Sequence, residues 1–160
     1  MLLQRWIRTE LIISVILFSQ SCGNRDVYTD CITFKDEMWE ANNPAKFQVE
    51  VSDTINLHNI YLIIRNTDSY PNSNLFLFIT TTSPENNSLR DTLECILADE
   101  KGNWLGRGFG KVRDNLVVYK PDVRFPVKGV YKIEIQQAMR NDRLAGILNV
   151  GLRIEKAKTK

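Results

Sequence analysis

The sequence predicts an all-β fold, an antiparallel β-sandwich of jelly-roll-like form with about seven or eight strands. Three observations predict it. Apolar and polar residues alternate with a period of two in several short segments, and no segment shows the wider apolar spacing of a long amphipathic helix. Turn-rich stretches also separate the alternating segments.

Taken in chain order, residues 23 to 31 are polar and without periodicity, which reads as a short tether. Phe47, Val49 and Val51 then alternate with Gln48, Glu50 and Ser52, the pattern of a strand with one face buried and one wet. Asn59 to Arg65 and Leu75 to Thr82 are denser in Leu, Ile and Phe, as central strands of a packed sheet would be. Asn66 to Asn74, rich in Asn, Ser and Asp with Pro71, connects them. Leu89 to Asp99 and Asn115 to Arg124 follow, with Glu100-Lys101-Gly102-Asn103 as a hairpin turn before Trp104. Tyr131, Ile133 and Ile135 form one face of the next strand. Leu148, Val150, Leu152 and Ile154 form one face of the last.

At 160 residues and 43% hydrophobic content the chain can bury one core, and neither a repeat nor a low-complexity stretch divides it. Lys+Arg 21 against Asp+Glu 19 gives a net charge of +2, which argues against a nucleic-acid binder that relies on a broad basic surface. Only one histidine, His58, is available for metal binding or Ser/Cys-His catalysis, and it reads as a satisfied surface residue at a strand entrance. The sequence holds no Cys-x-x-Cys, His-Glu-x-x-His, Gly-x-Ser-x-Gly or Walker-type segment, so no cofactor, metal or catalytic residue is nominated. Gly106-Arg107-Gly108-Phe109-Gly110 lacks the strand-to-helix setting of a phosphate cradle and reads as tight turns.

The first residues carry an address. Arg5 and Arg8 precede the apolar run Leu11 to Phe18, which is too short to span a bilayer and ends at Ser19-Gln20-Ser21-Cys22. A thiol just past a short apolar segment is the arrangement of a bacterial lipoprotein signal, with Ser19 and Gln20 departing from its commonest form. Cys22 is therefore the expected lipid-attachment residue. The expected organisation is a signal peptide over 1–21, a lipidated tether over 22–31 and a single β-sandwich domain over 32–160. Two or three acyl chains at about 0.8 kcal/mol per buried CH₂ would hold the protein on a membrane.

An exported chain permits a disulfide between Cys31 and Cys95, although Cys95 shares a face with Leu93 and Leu97 and also suits a buried free thiol. Trp104 beside Arg107 could stack a sugar, which keeps a lipid-anchored carbohydrate-binding module as the alternative function. Trp39 reads more simply as core. Asp53-Thr54-Ile55 and Asp91-Thr92-Leu93 resemble the short O-glycosylation triplet of Bacteroidetes, which nominates Thr54 and Thr92.

Several stretches in order resemble the gliding-motility lipoprotein family GldH of the Bacteroidetes. They are Ser21-Cys22, Tyr61-Leu62-Ile63-Ile64-Arg65-Asn66, Tyr70-Pro71-Asn72-Ser73-Asn74-Leu75, Asp91-Thr92-Leu93, Leu97-Ala98-Asp99 with Gly102, Trp104-Leu105-Gly106, Gln137-Ala138-Met139-Arg140 and Gly151-Leu152-Arg153-Ile154-Glu155. The resemblance implies a non-enzymatic envelope lipoprotein that serves gliding and the linked type IX secretion apparatus by contacting other envelope proteins. It brings no catalytic residues. The two loops outside the alternating strands then become the expected contact points, with Tyr70, Pro71, Asn74, Trp104, Gly106 and Arg107 as interaction candidates. Gly23-Asn24-Arg25-Asp26 lacks an acidic run of the kind resembling surface-export signals of that phylum, which favours the periplasmic face of the outer membrane.

Overall fold

The computed structural model describes residues 26–158, so the signal segment and Cys22 lie outside the described residues. Where the sequence alternates, the strands form and every second residue turns inward. In β3 (Ala45–Val51), the residues Ala45, Phe47, Val49 and Val51 are buried while those between are exposed. It follows β1 (Asp26–Thr33), a short 3-10 turn at Lys35–Glu37, and β2 (Met38–Glu40). Then come β4 (His58–Thr67), β5 (Asn74–Thr82), β6 (Ser88–Ile96), β7 (Val112–Val123), β8 (Gly129–Gln137), β9 (Arg143–Ala145) and β10 (Ile147–Lys156).

Two four-stranded sheets stack, one in the order β1-β10-β4-β7 and the other in the order β3-β8-β5-β6, with β2 and β9 as a small separate pair. All pairings are antiparallel. With the short β2 and β9 set aside, the chain-order positions of the remaining strands run 1-8-3-6 and 2-7-4-5, which is the double Greek key of a jelly roll. The two segments expected to be central, β4 and β5, are interior strands of their sheets.

Leu62, Ile64, Leu75, Leu77, Ile79, Ile133, Ile135 and Leu152 meet between the sheets and are almost fully buried. Each contributes about 1.5–3 kcal/mol relative to an exposed position. Trp39 closes one end of this core, stacked on Phe34 at 4.8 Å, with its indole N–H donating to the Asn43 carbonyl at 2.9 Å.

Three expectations need correction. The polar stretch to residue 31 is not all tether, because Asp26 to Thr33 pair with β10 as an edge strand. Tyr28 and Ile32 alone in that strand turn toward the core, so its backbone ladder, rather than a visible alternation, makes it a strand. The second concerns the thiols: Cys31 and Cys95 are both free, the first exposed and the second buried. They lie on strands of different sheets, β1 at one edge and β6 at the opposite side, so no bridge can form without moving the backbone. The third is His58, which is buried rather than on the surface, packed edge-on to Phe125 at 5.4 Å with its Nδ1 lacking a partner.

Candidate functional site

The strand registers sort the loops into two ends. One end gathers the segments 66–74, 97–111 and 138–146, and the other gathers 52–57, 83–87 and 124–128. All six interaction candidates fall at the first end, and there the loops are joined. The amides of Leu97 and Ala98 both donate to the Ser73 carbonyl, at 2.8 and 2.9 Å, which ties the β4–β5 connection to the segment after β6.

In the β4–β5 connection Tyr70 is a core residue, only 3% exposed, and its hydroxyl donates to the Asn74 carbonyl at 2.8 Å. Its phenol therefore braces the loop and offers no contact face, which removes it from the interaction candidates. Burial pushes its pKa up to about 12. Gly146, at φ +83°, presses on this loop, since a Cβ there would stand 2.5 Å from the Tyr70 amide nitrogen. Pro71 is exposed and Asn74 is half-buried, with its Nδ2 donating to Glu94 Oε1 at 2.6 Å.

The segment 97–111 folds back on itself before β7. Asp99 builds the first turn by accepting from the amides of Lys101 and Asn103 at 2.9 and 2.8 Å and from Asn103 Nδ2 at 2.9 Å. These donors, the Asn103 side chain first, hold its carboxyl below the usual carboxylate range. Trp104 pairs with Ala98 in an isolated bridge and is half-buried against the core. Arg107 pairs through its backbone with Asp114, with amide-to-carbonyl distances of 3.0 and 2.7 Å, while its side chain is exposed. Gly106 needs its missing side chain for space, because a Cβ would stand 2.7 Å from Asn115 Oδ1.

Around this segment the surface is apolar. Ile96, Leu105 and Leu116 are more than half exposed and Phe109 is 98% exposed. Ile96, Leu105, Gly106, Arg107, Asp114, Asn115, Leu116 and Val117 line a 450 Å³ cavity between the edges of β6 and β7. Ile96, Leu105 and Leu116 line one cavity together with the charged Arg107 and Asp114, and exposed apolar patches rimmed by polar residues mark interaction sites or ligand grooves. The alternation rule hid Leu116. In β7 the inward position is the polar Asn115, so the apolar Leu116 faces out, the reverse of the usual alternation. Phe109, an aromatic within a glycine-rich turn, was the visible signal.

Among the described residues, neither tryptophan presents an open face on which a sugar could stack. Trp39 is fully buried, Trp104 is half-buried, and Phe47 and Phe125 are core residues. Of the two modification candidates, Thr92 is exposed on β6 and Thr54 is half-buried in the β3–β4 loop. Among the described residues no group of three or more His, Cys, Asp or Glu side chains is placed to hold a metal ion. No helix of the described residues is long and apolar enough to cross a membrane.

The sequence model of the GldH lipoprotein family matches residues 26–154. The chain belongs to the GldH lipoprotein family. It is 37% identical over 153 residues to the gliding motility lipoprotein GldH homolog of Christiangramia forsetii, covering 91% of this chain and 93% of that one. Over 152 residues it is 32% identical to the gliding motility lipoprotein GldH of Flavobacterium johnsoniae, covering 91% of this chain and 92% of that one. Among solved structures, the VP2 subviral particle of infectious bursal disease virus aligns at TM-score 0.36 and 14% identity. That alignment covers 82% of this chain and 32% of the virus protein, a likeness that carries no weight. The GldH match begins at the first residue of β1, so the family's domain includes the edge strand and every strand of both sheets.

Proposed function

We propose that this GldH-family lipoprotein supports gliding motility and the linked type IX secretion machinery without catalysing a reaction, by docking to other envelope proteins. The observation that carries the reading is the apolar surface around the 97–111 segment, where Ile96, Leu105, Leu116 and Phe109 stand exposed beside Arg107. Removing that surface from water against a partner is favourable at about 25 cal/mol per Å² of apolar area. The Arg107 guanidinium at its margin gives direction to the contact through carboxylates on the partner. Pro71 and Asn74 lie on the adjoining loop and extend the surface.

The test is complementation of a gene deletion. Leu105→Asp and Phe109→Asp, each checked for an unchanged unfolding midpoint, should fail to restore colony spreading or secretion of type IX cargo, and should lose crosslinks that the wild type makes to envelope proteins. Full restoration by both variants would overturn the docking site. Normal spreading and secretion in the deletion strain itself would overturn the function.

The proposed location is the periplasmic face of the outer membrane, with Cys22 as the acylated N-terminus. Protease added to intact cells should leave the protein whole, and outer-membrane disruption should expose it. Cleavage in intact cells would place it on the outside instead.

A further inference from the structure

We infer that the end of the sandwich where β1 begins rests on the bilayer surface, with Ile55 and Leu57 of the β3–β4 loop seated among the lipid headgroups. The inference rests on the reading of Cys22 as the lipidated residue and adds the part of the protein surface that meets the membrane.

Chain length sets the geometry. Cys22 is four Cα steps from Asp26, the first residue of β1, and at about 3.8 Å per step the lipid can lie no more than about 15 Å from that residue. Asp26 is opposite Glu155 on β10, and Glu155 is opposite Asn59 on β4, so two strand spacings of about 5 Å bring the β3–β4 loop beside the anchor. β10 is 10 residues long, and its far end lies about 30 Å away at about 3.3 Å per residue. The loops proposed for docking are at that far end.

The loop facing the anchor is shaped to present apolar side chains. Ile55 is 79% exposed and Leu57 40% exposed, although both belong to the residue types most often found inside. Val27, next to the anchor on β1, is 42% exposed. The loop is also held rigid. The Asp53 carboxylate accepts from the amides of Ile55 and Asn56 at 3.1 and 3.0 Å and from Asn56 Nδ2 at 2.7 Å, and it pairs with Lys156 Nζ at 3.1 Å. The Ala157 amide donates to the Leu57 carbonyl at 2.8 Å, binding the loop to the strand that follows β10. A preformed loop gives up little conformational entropy on contact. Lys156 and Lys158 line a 470 Å³ cavity with Ile55 and Leu57; the Lys156 ammonium is held by Asp53, while the Lys158 stem can lie along the apolar surface and its ammonium reach a headgroup phosphate. Charges of both signs, Asp26, Asp53, Arg124 and Lys128 among them, lie at this end of the sandwich, so apolar insertion and not net charge makes the contact.

The test uses the full acylated protein in vesicles of phosphatidylethanolamine and phosphatidylcholine, with an environment-sensitive fluorophore on a single introduced cysteine in a Cys31→Ser background. Fluorophores at Ile55→Cys and Leu57→Cys should shift to shorter wavelength and lose emission to a lipid-borne quencher. A fluorophore at Phe109→Cys should stay open to an aqueous quencher. Protein that floats with vesicles while Ile55→Cys behaves like Phe109→Cys would overturn the inference and leave the anchor standing. Quenching at Val118→Cys instead would also overturn it, because the outer face of the β1-β10-β4-β7 sheet would then lie flat on the lipid. Wild-type protein with no acyl mass would remove the anchor, and the orientation with it.

Discussion

Gly106 and Asn115 occupy one space: the carboxamide fills the position a side chain on residue 106 would need. Asn115 uses the contact well, its Nδ2 donating to the Ile64 carbonyl at 3.0 Å and to Asn66 Oδ1 at 2.9 Å inside the β4–β7 pair. The segment proposed for docking is thereby pressed against a buried polar network. Gly106→Ala should displace Asn115 and leave buried groups unpaired, at a cost of about 1–3 kcal/mol. Denaturant unfolding with an unchanged slope and a lower midpoint would show it, and an unmoved midpoint would refute the packing argument.

His58 gives the fold a pH dependence. Burial, the largest influence, holds its pKa below the ordinary value, so the folded protein keeps the ring neutral while the unfolded chain takes up a proton near pH 6.5. The folded value is the lower one, so this contribution is fully present above about pH 6.5 and is lost as pH falls through the folded value. Unfolding midpoints measured from about pH 7 to about pH 5 should fall in the wild type and fall less in His58→Gln. Equal slopes in the two proteins would assign the dependence elsewhere.

Asp91 links the edges of the two sheets. It accepts from the Tyr119 hydroxyl at 2.5 Å and pairs with Lys120 Nζ at 2.6 Å, bringing β6 to β7 across the open side of the sandwich. Lys120 and then Tyr119 hold its carboxyl below the usual carboxylate range. Asp91→Ala should cost about 1–2 kcal/mol, because the half-buried Tyr119 hydroxyl loses its partner. Asp91→Asn should cost less. Thermal unfolding of both variants decides between this order and its reverse.

The two thiols should behave as unlike free groups. Cys31 is exposed and should react with a thiol reagent in the native protein. Cys95 is fully buried, with its pKa pushed up to about 12 by that burial, and should react only on unfolding. Labelling that is equal at both positions in native protein, or absent from both in denaturant without reductant, would contradict the structure.

Period-two segments such as Phe47 to Val51 and Tyr131 to Ile135 made the sandwich legible, because in a sheet buried on one face the inward residues announce themselves. β1 was illegible for the complementary reason. An edge strand with only Tyr28 and Ile32 turned inward is held by its ladder to β10, and backbone hydrogen bonds leave no mark in side-chain identity. The candidate site was legible as loops but not as a surface. Tyr70, an interaction candidate by its place in a polar loop, is a core residue whose hydroxyl reaches the Asn74 carbonyl, and Leu116 faces out because the neighbouring Asn115 takes the inward place. Which way such side chains point depends on register across strands far apart in sequence.

The pairing of β1 with β10 also has a mechanical meaning. A pull between an anchor ahead of Asp26 and a partner held at the opposite end acts along β1, parallel to the strand and across its hydrogen bonds. The ladder from Asp26–Glu155 to Thr33–Asn149 is then loaded in shear, all of its bonds sharing the tension at once instead of opening one after another like a zip. With the lipid on Cys22 as proposed, an anchor joined to the edge of a sheet in this direction would pass force from the membrane straight into the core of the domain.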